Sequence, residues 1–261
     1  MDASQLVEHV NTKGARGIGD RIVVSAPPAY RDTWWRDLGG DVGVNARLVA
    51  DWWASALPQS FVFLREIIRD RTLVAPVTIL AGEREDQALL YFICYPDDDA
   101  VKDVRGAACV GFRPADEARM ESARFAAGLP GDLEAFYRRV HDGFQIAVQN
   151  DGDFIVPVGD IQTWSERTGF FEPEVLEVED FESIIEFNPY VPDPKRMVVV
   201  WEASSTAVPV DLDRPDECWQ YTGGELDYWP RTTKDGFVNT PSAVVESTLL
   251  SYLGYSTPAG F

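Results

Sequence analysis

Apolar positions along this chain change period several times, and each change marks an element. Between Leu129 and Gly143, Leu133, Phe136, Tyr137 and Val140 recur at i, i+3, i+4 and i+7, which predicts a helix with one apolar, aromatic face. Pro130 suits its first turn, where no N–H is needed, and Gly143 after Asp142 suits its stop in a left-handed turn. Val44–Leu57 and Phe61–Ile68 carry helical spacing and are separated by Pro58. Short apolar, β-branched runs at Ile22–Val24, Val74–Leu80, Ala88–Tyr95 and Ala107–Phe112 predict strands, with Asp97–Asp99 as a solvated turn. The first residues read as a short mixed segment ahead of a Gly-rich loop, Gly14–Gly19.

Beyond residue 116 the character shifts. Glu117–Ala127 predicts another helix ahead of the Pro130 one. Phe144–Val148 and Phe154–Val158 flank Asn150-Asp151-Gly152-Asp153, whose turn chemistry predicts a hairpin. Ile161–Glu166 reads as a short helix, Met197–Trp201 and Val208–Val210 as strands. Gln220-Tyr221 and Leu226–Trp229 form a second hairpin about Gly223-Gly224. Thr240-Pro241 caps a last helix with Val244, Val245, Leu249 and Leu253 on one side. Helices, then consecutive strands, then a helix predict an α+β fold, a largely antiparallel or mixed sheet flanked by helices, not an alternating parallel one. The shift in pattern divides the chain into an N-terminal α+β region, residues 1–116, and a second α+β domain, residues 117–261.

Charge sharpens the picture. The 261 residues hold 43 acidic and 23 basic side chains, a formal net of −20. Residues 151–230 alone carry 19 acidic and 4 basic groups. Such a field repels nucleic acid and anionic membrane surfaces, and it speeds encounter with basic partners. The peak runs Glu172, Glu174, Glu177, Glu179, Asp180 and Glu182, interleaved with apolar residues. Downstream, Trp219, Tyr221, Asp227, Tyr228 and Trp229 set aromatic anchors beside carboxylates, as an interface to a basic protein requires. These eleven residues are the candidate partner-binding surface. Trp34, Trp35, Trp52, Trp53 and Phe61 read instead as core of the N-terminal region. Three cysteines, Cys94, Cys109 and Cys218, form no CxxC and read as buried free thiols of a reducing cytoplasm. The opening Met1–Gln5 has neither a basic nor an apolar leader character, so the chain reads as cytoplasmic.

Leu129, Pro130, Asp132, Phe136, Tyr137, Asp142 and Gly143 together resemble the SUKH superfamily, supported by the Val156-Pro157 strand end, the strand Val198–Trp201 and the capped C-terminal helix. The resemblance covers roughly residues 117–254. It departs where His141-Asp142-Gly143 replaces the more usual Asn-Gly ending. What it implies is an immunity protein of a bacterial toxin system, one that stays in the cytoplasm and blocks a cognate toxin, often a nuclease, by stoichiometric binding. A regulatory or scaffold relative without a toxin partner is the alternative, and a hydrolase is a third.

Catalytic motifs do not displace that reading. Thr12–Gly19 approaches a dinucleotide loop, but its glycines are misspaced and a strand follows where a helix is needed. Two histidines, His9 and His141, are too few for the usual His-rich metal site, and His141 reads as a cation at a helix C-terminus. Asn150–Asp153 and Asp211–Asp213 lack the ligand spacing of a calcium loop. The sequence thus points to no cofactor, no metal and no catalytic residue, and to a protein partner.

Overall fold

Among the described residues, ten strands pair antiparallel in chain order, each with its sequence neighbours, in a single hydrogen-bonded ladder. The computed structural model describes residues 1–13, 21–24, 34–81, 84–97, 105–146, 154–167, 192–203, 206–223, 225–229 and 238–256. The strands are β1 (Arg21–Val24), β2 (Thr72–Ala81), β3 (Arg84–Cys94), β4 (Gly106–Phe112), β5 (Phe144–Ile146), β6 (Phe154–Ile155), β7 (Met197–Ala203), β8 (Thr206–Asp211), β9 (Cys218–Thr222) and β10 (Glu225–Trp229). The helices are α1 (Ala3–Lys13), α2 (Val42–Ala56), α3 (Val62–Arg71), α4 (Glu117–Ser122), α5 (Gly131–Arg139) and α6 (Pro241–Tyr252). The fold is α+β. Two four-stranded sections, β1–β4 and β7–β10, are joined through β5 and β6.

Period-2 alternation sends successive side chains of β2–β4 to opposite faces. Ala75, Val77, Ala88, Leu90, Phe92, Ala108 and Val110 point to the face covered by α1 through Leu6, Val7 and Val10. Val74, Leu89, Tyr91, Ile93, Ala107 and Cys109 point the other way, into the main core with α2, α3, α5 and α6. β7 and β8 alternate likewise: Val198, Val200, Val208 and Val210 join the main core, while Met197, Val199 and Ala207 pack with Trp164, Trp219 and Leu226 on the reverse side.

The helix ends follow local rules. Asp41 accepts from the Gly43 and Val44 N–H groups at the start of α2. Asp116 does the same for Arg119 in α4, and Thr240 for Ala243 in α6. Helix α3 is the exception, because Phe61 at its N-cap is left-handed (φ 54°) and has no capping side chain. Glu246 of α6 takes over that role and accepts the Leu64 N–H at 2.7 Å. Burial pushes its carboxyl up to about 7, against the pull of the α3 N–H groups and of Arg65.

Most sequence-predicted elements are present with shifted ends. The first residues form a full helix, α1, whose Ala3, Leu6, Val7 and Val10 follow helical spacing. The helix expected over Glu117–Ala127 stops at Ser122 and resumes as a 3₁₀ turn at Ala126–Gly128. Residues 116 and 117 do not separate two cores. Strand β4 pairs with β5 across that point, and one core contains Trp53, Tyr91 and Cys109 together with Leu133, Phe136 and Phe144. The shift in composition marks only a loop between β4 and α4. The Gly14–Gly19 loop and the Asn150–Asp153 turn lie outside the described residues.

Candidate functional site

The Leu129–Gly143 segment organises one end of the main core. Pro130 is the N-cap of α5, and Leu133, Phe136, Tyr137 and Val140 are all fully buried. Tyr137 donates its hydroxyl to the Val156 carbonyl at 2.8 Å, and its own carbonyl accepts from the Ala115 N–H at 2.9 Å. The helix is thereby tied to the strand ends on both sides.

His141 is not a surface cation at a helix terminus. It is wholly buried, and the loss of solvent lowers its pKa to about 3, so the ring is neutral. Its Nδ1 lies 2.7 Å from the Phe112 carbonyl, which can only accept, so Nδ1 carries the proton. Nε2 then accepts from the Tyr91 hydroxyl at 2.6 Å. The ring lies on Gly111 of β4, where a Cβ would come within 2.4 Å of Nε2. Tyr91, Trp53, Phe136 and Phe144 pack around it. This neutral, satisfied imidazole is a strut between α5 and β4.

Asp142 and Gly143 complete the frame. Asp142 accepts the Val158 N–H at 2.7 Å and forms an ion pair with Arg119. Its backbone N–H donates to the Arg113 carbonyl at 3.2 Å. Gly143 sits at φ +95°, and a Cβ there would come within about 3 Å of Pro157 Cγ and the Ile155 carbonyl, so the position demands glycine.

Above this frame opens a cleft of about 1850 Å³. Its walls come from the 3₁₀ turn Trp34–Asp37, the last turns of α2, the start of β3, the loop after β4, the C-terminus of α5 and the segment after β6. Six arginines reach it: Arg36, Arg113, Arg119, Arg138, Arg139 and Arg167. Arg36 is paired with Asp37, Arg119 with Asp142, Arg138 with Glu117 and Glu134, and Arg167 with Glu202. Arg113 and Arg139 are exposed and have no ion-pair partner among the described residues. Trp34 and Trp52 stack at 5.4 Å with planes 10° apart, and the Trp52 indole N–H donates to the Arg139 carbonyl at 2.9 Å. Trp52 remains 38% exposed.

The candidate residues read from the sequence fall elsewhere. Glu172, Glu174, Glu177, Glu179, Asp180 and Glu182 lie outside the described residues. The β9–β10 hairpin brings Trp219, Tyr221, Asp227, Tyr228 and Trp229 together. Asp227 is exposed, and Tyr221, Tyr228 and Trp229 are half-buried. Trp219 is fully buried, packed by Tyr228 at 5.0 Å and placed with Met197 and Val199 by the alternation of β9. It is therefore a core residue with no face to offer a partner. The tryptophan doublets also divide: Trp35 and Trp53 are core, whereas Trp34 and Trp52 wall the cleft.

Sequence reasoning missed the cleft because its residues come from six separate segments. The one available signal was the doublet Trp52-Trp53 within a helix, where successive side chains diverge by about 100° and cannot share a buried face.

All three cysteines are free and buried, and burial raises the Cys109 thiol far above its ordinary range. Among the described residues no group of three or more His, Cys, Asp or Glu is placed to hold a metal ion, and no helix is long and apolar enough to cross a membrane. Comparison with protein families, with curated proteins and with solved structures returns no match.

Proposed function

We propose that this chain is an immunity-type binding protein that neutralises a cognate bacterial toxin by stoichiometric contact, without catalysis and without a cofactor. The observation that carries the reading is the cleft. At about 1850 Å³ it exceeds the roughly 300–1,000 Å³ of small-molecule sites, so its scale suits a polypeptide. Among its exposed groups are two guanidiniums without an ion-pair partner among the described residues and a stacked indole, residue types enriched in interface hot spots, beside the exposed carboxylates of Asp37, Glu85, Asp116 and Asp160.

The frame beneath supports the same reading. Tyr137, His141, Asp142 and Gly143 are each consumed in holding strands and helices in place, which leaves a rigid surface that needs little ordering on binding. The residues that carry the SUKH resemblance thus act as scaffold beneath a docking surface. The −20 charge favours a basic effector such as a nuclease domain and a cytoplasmic encounter, with no role for nucleic acid or membrane.

The test is capture on the tagged full chain, at low and at moderate salt, from cells that produce it. The expected result is one basic polypeptide, held one to one, that arrests growth when expressed alone and not when co-expressed with this chain. A captured polypeptide that leaves growth unaffected would refute the immunity role.

A further inference from the structure

Helix α2 is apolar on two faces, and the core uses only one of them. Val42, Ala46, Val49, Ala50, Trp53 and Ala56 are buried against the rest of the chain. Val44, Leu48 and Trp52 stand on the outer face at i, i+4 and i+8, and they are 49%, 41% and 38% exposed. Residues so spaced lie one above another, so the three form a single apolar ridge about 12 Å long. A helix apolar on both faces belongs inside a larger assembly more than at a solvent surface. Arg47 and Asp51 flank the ridge on one side, and both are exposed. Asp51 makes an exposed ion pair with Arg69 of α3 at 2.6 Å, and Arg47 has none among the described residues.

We infer that α2 is the contact through which two copies of this chain pair, antiparallel, about a twofold axis near Leu48. The pairing goes beyond toxin binding and does not rest on it. What selects a second copy is that the ridge, when reversed, is complementary to itself. Val44 and Trp52 stand at equal distances either side of Leu48, so the small end of one ridge meets the bulky end of the other, and Leu48 meets Leu48. The flank reverses in the same way. Its cation lies toward the start of the helix and its carboxylate toward the end, so Arg47 of each copy faces Asp51 of the other. An isologous contact makes every such pair twice. The bridge from Asp51 to Arg69 is solvated and weak, and the carboxylate stays open to a second cation. Contact through one helix falls short of the about 800 Å² per partner of a standard interface, so the pair is weak and reversible. Two chains of charge −20 also repel, so salt strengthens this pairing, whereas it weakens the draw on a basic partner.

Sedimentation velocity on the full chain, from about 5 to about 500 µM and at about 0.05 and about 0.5 M NaCl, tests the pairing. The expected result is a monomer–dimer equilibrium that shifts toward dimer with concentration and with salt. Leu48→Glu, on an exposed side chain, should weaken it at least about tenfold, because pairing would set two carboxylates against each other at the axis. Unchanged thermal unfolding confirms that this variant folds. R47E and D51R each set like charges together in their own dimers. An equimolar mixture of the two regains unlike pairs on both sides of the axis and should associate more tightly than either alone. A parent chain that stays monomeric throughout would overturn the inference, as would a dimer that L48E leaves intact or a mixture no tighter than its components. None of these outcomes depends on the toxin, so failure here leaves the growth test of the immunity role intact.

Discussion

Replacing Glu246 by Gln should stabilise the protein in alkaline solution and change little in acid. Glu246 reaches from α6 to the uncapped start of α3, and burial raises its pKa from 4.5 to about 7. A raised carboxyl pKa means that the folded state holds the proton more tightly than the unfolded one. Stability from this group is therefore complete below pH 4.5 and is lost as pH rises through 7. A difference of about 2.5 units at 1.36 kcal/mol each puts the full loss near 3 kcal/mol, of which about 2.5 kcal/mol falls between pH 5 and 8.5. Gln cannot ionise, yet it keeps a carbonyl to accept the Leu64 N–H. Urea unfolding followed by tryptophan fluorescence at pH 5, 7 and 8.5 gives the difference between variant and parent, and the other 42 acidic groups largely cancel. The difference should grow by about 2.5 kcal/mol across that range in favour of E246Q. A pH-independent difference, or a variant less stable than the parent at pH 8.5, would show that the charged carboxylate is the form that caps α3.

Other consequences of the frame can be measured directly. The Gly111→Ala methyl would meet the His141 ring, so the variant should lose about 1–3 kcal/mol and show a disturbed imidazole signal; unchanged stability would remove the ring from β4. Tyr91→Phe deprives His141 Nε2 of its only hydrogen-bond donor among the described residues and should cost about 1–3 kcal/mol. By proton NMR the His141 ring should remain neutral from pH 8 down to pH 5, given its pKa near 3; a midpoint above pH 5 would contradict its burial. A thiol reagent should leave Cys94, Cys109 and Cys218 unmodified in the native protein and react with all three in denaturant.

How much of this was legible in the sequence depended on the range of the interactions involved. Local signals were strong. The Pro130 and Thr240-Pro241 helix starts, the Gly223 turn and the apolar runs of β2 to β4 each appear close to where their patterns lie. α1 escaped because its apolar stripe is diluted by Ser, Gln, Glu and His, although Ala3, Leu6, Val7 and Val10 keep helical spacing. The boundary at residue 116 misled because composition is local, while the β4–β5 pairing that joins the two halves is not.

His141 misled for the same reason. At the end of a helix it looks like a favourable cation, and only the fold brings Tyr91, Phe112 and Gly111 around it. Arg113 and Arg139, with α4 and most of α5 between them in sequence, both line the cleft, a placement that no spacing rule encodes.

Neutralisation by one-to-one binding is open to titration. The toxin activity identified by capture should be measured at fixed concentration against increasing amounts of the purified full chain. One-to-one neutralisation gives a linear fall with a break at equimolar chain, and residual activity again wherever toxin is in excess. Complete loss of activity at substoichiometric chain would reveal an enzyme, and full activity beyond equivalence would show that the chain does not neutralise its partner.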